Sequence, residues 1–95
     1  MYKKQALTLP GTTLPFSTYV DEGVCYVEFN ASASEPPEPM MNAMQGLAFI
    51  KGTDKRLVMI HVKEPASLYP RIANEMTWSV DVLDNGDVKI IFQNR

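Results

Sequence analysis

Cysteine, histidine and tryptophan each occur once in these 95 residues. A single cysteine, Cys25, excludes an intramolecular disulfide, the staple on which small secreted domains rely. Cys25 and His61 together fall short of the four ligands of a structural zinc site, so neither a metal nor another cofactor is expected. Long apolar runs are missing as well: nothing approaches the ~18 residues of a membrane span. The opening Met1-Tyr2-Lys3-Lys4-Gln5 has a basic pair but no apolar stretch behind it, and a secretory leader is not expected. Positive charge is not in excess. Nine Lys+Arg against eleven Asp+Glu leave a net −2, a poor match for a phosphate backbone. No stripe of interleaved aromatic and basic residues offers a platform for single-stranded RNA. Nucleic acid and membrane are therefore not expected partners. What remains is 45% hydrophobic and 21% charged, an ordinary globular composition in a chain long enough for one small core. A cytoplasmic single domain is the expectation.

Residues 1–20 are rich in Thr, Pro and Leu. Pro10 and Pro15 interrupt any ladder or helix, yet Leu7, Leu9, Leu14 and Phe16 argue against a free tail. The segment reads as an N-terminal extension that contributes at most an extra edge strand, with the domain proper at 21–95. Asp21-Glu22-Gly23 is a turn signal. From Val24 to Phe29 the pattern alternates, with Cys25, Val27 and Phe29 on one face and Tyr26 and Glu28 on the other: a half-buried strand. A polar, proline-dense loop follows over 30–39. Met40, Ala43, Met44, Leu47 and Ala48 then recur at the spacing of an amphipathic helix, with Glu38 at its positive end. Gly52 closes that unit. Leu57 to Val62 is nearly continuous in apolar character, as an interior strand would be. Leu68, Ile72, Ala73 and Met76 predict a second helix, with Ser67 as N-cap and Pro70 tolerated in the first turn. Trp78, Val80 and Val82 alternate, Asp84-Asn85-Gly86-Asp87 is a hairpin turn, and Val88, Ile90 and Phe92 form the returning strand.

The predicted fold class is α+β: a two-layer α/β sandwich of order βαβαββ, with both helices on one face of a four-stranded mixed sheet. The other face carries Tyr26, Glu28 and His61 or Ile91. It must be solvated, covered by residues 1–20, or covered by another chain, and it offers a surface for a homodimer.

These elements carry a resemblance. The helix start Glu35-Pro36-Pro37-Glu38-Pro39 resembles the Cys-Pro-x-Pro start of the TusA/SirA-like sulfur-carrier fold. The run His61-Val62-Lys63-Glu64-Pro65-Ala66-Ser67-Leu68-Tyr69, with Trp78 beyond it, is similar to an uncharacterised TusA-like family often fused to hemerythrin-like or cupin domains. The resemblance covers residues 24–93. It implies a TusA-like sandwich and a setting in anaerobic nitrogen-oxide or redox metabolism. It also places Pro36 where the sulfur-carrier cysteine stands. Proline has no thiol, so persulfide chemistry at that position is excluded.

The candidate site follows from this. His61 lies at the C-terminal end of the predicted central strand, where ligands gather in α/β sheets. Imidazole is the side chain whose free form titrates near neutral pH. Glu64 precedes the second helix and Glu38 the first, and both helix starts share one sheet edge. A non-enzymatic domain that binds a protein partner or small ligand is expected, with His61, Glu64, Glu38, Pro36 and Pro37 as contacts. The plainer reading of His61 is a ring bonded to a loop carbonyl, and of the prolines a rigid helix entry. Cys25 reads as a buried small hydrophobe; the alternative is a sulfur-relay thiol at Cys25. Met40, Met44, Met59 and Met76 are assigned to the core. No residue is assigned a catalytic role.

Overall fold

The structure, a computed structural model, describes residues 3–95. Residues 1 and 2, part of the expected N-terminal extension, lie outside the described residues. The elements in chain order are β1 (Gln5–Leu7), β2 (Phe16–Asp21), β3 (Val24–Asn30), α1 (Glu38–Ile50), β4 (Arg56–His61), α2 (Tyr69–Ile72), β5 (Met76–Val82) and β6 (Val88–Asn94). They form one mixed α+β sheet structure with strand order β1-β2-β3-β4-β6-β5. Only β3 and β4 are parallel, joined across α1; every other pair is antiparallel. No helix among the described residues is long and apolar enough to cross a membrane.

The sheet has six strands, not four. Residues 5–7 and 16–21 widen it at one edge rather than lying over its open face, and β2 runs across the expected boundary at residue 20. The reason is the turn at Glu22-Gly23. Both residues take positive φ, 50° and 80°, and Asp21 pairs directly with Val24. Such a two-residue loop matches the natural twist of antiparallel strands and returns the chain onto its neighbour. Phe16 is thereby set opposite Phe29, and the two rings stack at 4.8 Å.

Register assigns the faces. Phe16, Val27, Phe29, Leu57, Met59, Ile90 and Phe92 point to the helix side, where they join Ala43, Leu47, Ile50, Leu68 and Ile72 in one core. Both helices therefore cover the same face. The opposite face carries Tyr26, Glu28 and Ile91. Tyr19 stacks on Tyr26 at 5.2 Å and donates to Glu28 at 2.9 Å. Lys4 closes an ion pair with Glu28 at 2.7 Å. His61 lies on the helix side, opposite Val88, and is buried.

Helix α1 docks on a different face from the one its methionines predict. Pro39, Asn42, Ala43, Gly46, Leu47 and Ile50 are buried, whereas Met44 is 38% exposed and Ala48 also faces outward. Small residues decide this. A Cβ on Gly46 would sit 2.7 Å from Leu57 Cδ1, so any larger residue there would force the Leu57 side chain or the helix to shift. Asn42 completes the contact and is fully buried. Its Oδ1 accepts from the backbone N–H groups of Thr13 (2.9 Å) and Leu14 (3.1 Å). Its Nδ2 donates to Thr13 Oγ1 and to the Glu38 carbonyl, each at 2.9 Å. One amide thus satisfies the β1–β2 connection and the first turn of α1. At the other end, Asn94 of β6 donates to the carbonyls of Ile50 (2.9 Å) and Thr53 (2.7 Å) and accepts from Gly52 N–H. That side chain satisfies carbonyls that a helix end leaves unpaired.

The second helix is a single turn, Tyr69–Ile72, and Ser67 does not cap it. Met76 belongs to β5, where it pairs with Asn94. The sheet captures the chain early: Arg95 donates from its backbone to Glu75 O at 3.0 Å and from Nε to Ala73 O at 2.7 Å.

Replacing Asn42 with leucine strands two backbone donors and removes two further bonds. We expect the unfolding free energy to fall by about 2–4 kcal/mol, read from the urea midpoint at unchanged slope. A loss below about 0.5 kcal/mol would mean that water replaces the amide without cost.

Candidate functional site

The C-terminal end of β4 opens into a cleft of about 200 Å³. Its floor is Met59 and His61. One wall is Pro36, Pro37, Pro39 and Met40, at the entry to α1; the other carries Lys63, Pro65 and Ser67. The sheet makes this possible. Parallel strands β3 and β4 end side by side, with Asn30 opposite Ile60, so the chain must leave the sheet twice at the same edge. One exit leads into α1 and the other into α2.

Each wall is held from outside the cleft. Pro39 is buried beneath the first turn of α1, and Glu38 N–H donates to Glu35 O at 3.0 Å. On the other side Leu68 is fully buried, and its N–H donates to Pro65 O at 2.9 Å. Tyr69 stacks on Trp78 of β5 with centroids 4.4 Å apart and planes 11° from parallel. Its hydroxyl donates to Glu64 Oε1 at 2.9 Å. The loop that carries Lys63, Pro65 and Ser67 is therefore pinned at both ends.

His61 is 7% exposed. Its Nδ1 lies 3.1 Å from the carbonyl oxygen of Ala31. A carbonyl only accepts, so Nδ1 carries the proton and donates. In the neutral ring Nε2 is then a bare lone pair. Nε2 has no partner among the described residues, yet no buried side-chain polar atom there is left unsatisfied. It is therefore the ring atom that reaches solvent, and the ring lines the cleft. One ring nitrogen thus bonds a loop carbonyl, the plainer expectation for His61, and the ring's other side faces the cleft.

Pro36 and Pro37 line this cleft with His61, joined by a cis peptide bond. Glu38 and Glu64 do not. The Glu38 carboxylate accepts from Thr13 Oγ1 at 2.6 Å and so faces the β1–β2 connection. The Glu64 carboxylate is taken by Tyr69. Helix starts that share an edge do not make their acidic side chains converge, because each finds a nearer donor. Lys63, Ser67, Met40 and Met59 line the cleft and were not foreseen as contacts. Strand alternation could have found Met59, which shares a face with His61; it carries no signal for Met40 on α1 or for Lys63 and Ser67 in the loop.

Cys25 lies near the start of β3, whereas Ala31, the partner of His61, follows its end. Seven extended residues separate the two ends by roughly 20 Å. The thiol is half-buried rather than buried, and 3.6 Å from Thr18 Oγ1. Among the described residues no three His, Cys, Asp or Glu side chains are grouped to hold a metal ion.

Burial, then the hydrogen bond to Glu64 and its negative charge, push the Tyr69 hydroxyl well above the usual tyrosine value of 10.0. The folded state thus favours the neutral phenol. That contribution is complete below pH 10 and is lost as the pH rises beyond it, because the unfolded chain ionises first. Tyr69→Phe should delete a tyrosine that ionises above the usual range in an alkaline absorbance titration. An unchanged titration curve would refute this assignment.

No family model matches the chain, and neither a curated protein nor a solved structure matches it.

Proposed function

We propose that this protein is a non-enzymatic binding domain whose ligand occupies the His61 cleft. The observation that carries the reading is a buried imidazole with one nitrogen committed to Ala31 and the other unpartnered at the cleft. Nε2 reaches solvent there, so a ligand donor can take the place of water on it. The walls are apolar and pinned, and a few polar groups converge on them, which is how small-molecule sites are generally built. A small ligand fits this concave site better than a protein partner, whose interfaces need far more surface.

A TusA-like fold is part of this proposal. The element order from residue 24 onward, strand, helix, strand, helix, strand, strand, supports it, as does the Pro36-Pro37-Glu38-Pro39 entry to α1. Within such a scaffold Pro36 stands at the sulfur-carrier position, and the edge that would present a persulfide presents an apolar cleft instead. The sulfur-relay alternative through Cys25 is less favoured, because the thiol stands near the start of β3 while both helices begin beyond the far ends of β3 and β4, away from the helix N-terminus that activates thiols.

A ligand-observed NMR screen of a fragment mixture tests the reading. Hits are expected with the wild-type protein. Ser67→Trp changes an exposed rim position and fills the cleft without disturbing the core, and the hits should vanish with it. Hits unaffected by Ser67→Trp would place the ligand elsewhere. Iodoacetamide is expected to label Cys25 slowly until denaturant is added; rapid native labelling would reopen the sulfur-relay alternative.

A further inference from the structure

The chemistry of the cleft narrows the class of ligand, an inference that rests on the binding reading above. Four prolines and two methionines make up its apolar lining. Prolines have no rotamers to lose when a ligand packs on them. Methionine sulfur makes favourable contacts with aromatic rings. A cavity of ~150 Å³ suffices for benzene, so about 200 Å³ takes one ring with its substituents. A flat, rigid ring is the apolar body these walls fit.

The polar groups set the substituents. Lys63 is exposed and enters none of the ion pairs among the described residues. No carboxylate lines the cleft, because Glu38 is held by Thr13 and Glu64 by Tyr69. The lining is thus cationic and lacks a counter-charge. His61 asks for something else. With Nδ1–H given to Ala31, Nε2 of the neutral ring is an acceptor. A carboxylate set against that lone pair would be repelled, and a plain hydrocarbon edge would leave it dry and unpaired. An O–H or N–H donor satisfies it.

We infer that the His61 cleft binds a small aromatic acid that also carries a hydroxyl or N–H donor. The ring lies between the proline walls, the carboxylate meets Lys63, and the donor bonds His61 Nε2. Ser67 Oγ, at the rim, serves either polar end.

His61 is the only histidine in the chain, so its Cε1–Hε1 resonance is a single reporter at the cleft. It is followed at constant pH while para- and meta-hydroxybenzoate, benzoate and para-hydroxybenzamide are titrated in. At least one hydroxybenzoate should give a saturable shift. Benzoate should bind about tenfold more weakly, because it leaves Nε2 unpaired. Para-hydroxybenzamide should bind the wild type about two- to fivefold more weakly than its acid, the range of a solvent-exposed ion pair. Lys63→Gln should erase that difference between acid and amide. Benzoate equal to the better hydroxybenzoate would overturn the role of Nε2. An amide equal to its acid would overturn the role of Lys63. Toluene and cyclohexylamine complete the series. Binding of either while the acids are silent overturns this ligand class but leaves the cleft a ligand site. Silence of every probe overturns both.

Discussion

The fit of α1 against the sheet is the constraint on which the rest depends, and it is made by residues without bulk. A Cβ at Gly46 would crowd Leu57, and its absence lets helix and sheet pack without a shift. One turn earlier, Asn42 fills the remaining gap with an amide whose hydrogen-bonding capacity is used on four partners. A buried amide is costly unless it is fully bonded, and when bonded it accepts only one arrangement of its neighbours. Here it sets the β1–β2 connection, the first turn of α1 and the helix position together. Leucine at 42 would give more apolar burial and less definition.

That docking places the proline entry of α1 beside the end of β4, and the cleft follows from it. Two chain exits at the end of a parallel pair leave a space between them, and what fills the space depends on which residues stand at the exits. Here they are rigid prolines, a lysine, and a histidine whose tautomer is set by a backbone carbonyl. The two acidic residues nearest by sequence are drawn away by a threonine and a tyrosine. The cleft is left with donors on one side, an acceptor at its floor, and no negative charge.

Strands announced by alternation or continuous apolar character appear where expected. Val24–Asn30 and Val88–Asn94 alternate between core and opposite face, and Arg56–His61 lies between two neighbours in the sheet. The hairpin at Asp84–Asp87 forms, with Gly86 at φ 91°. Phe16–Asp21 was hidden because Pro10 and Pro15 dominate its neighbourhood. The glycine turn behind it carried the missing information, since a two-residue turn needs a strand on both sides. The second helix was overestimated because Met76 suits a helix stripe and a strand face equally well.

The chain's own residues therefore determined its class, an α+β domain with one core, together with most strands, the first helix and the place of His61 at a strand end. Those features follow from local periodicity and turn chemistry, which act over a few residues. Tertiary structure alone decided which face α1 presents, how wide the sheet is, and which side chains share the cleft. Each of these depends on partners distant in the chain, such as Leu57 against Gly46, Thr13 against Asn42 and Ala31 against His61. Hydrophobicity cannot rank a glycine or an asparagine as a docking residue; only the shape and the hydrogen bonds of what lies opposite can.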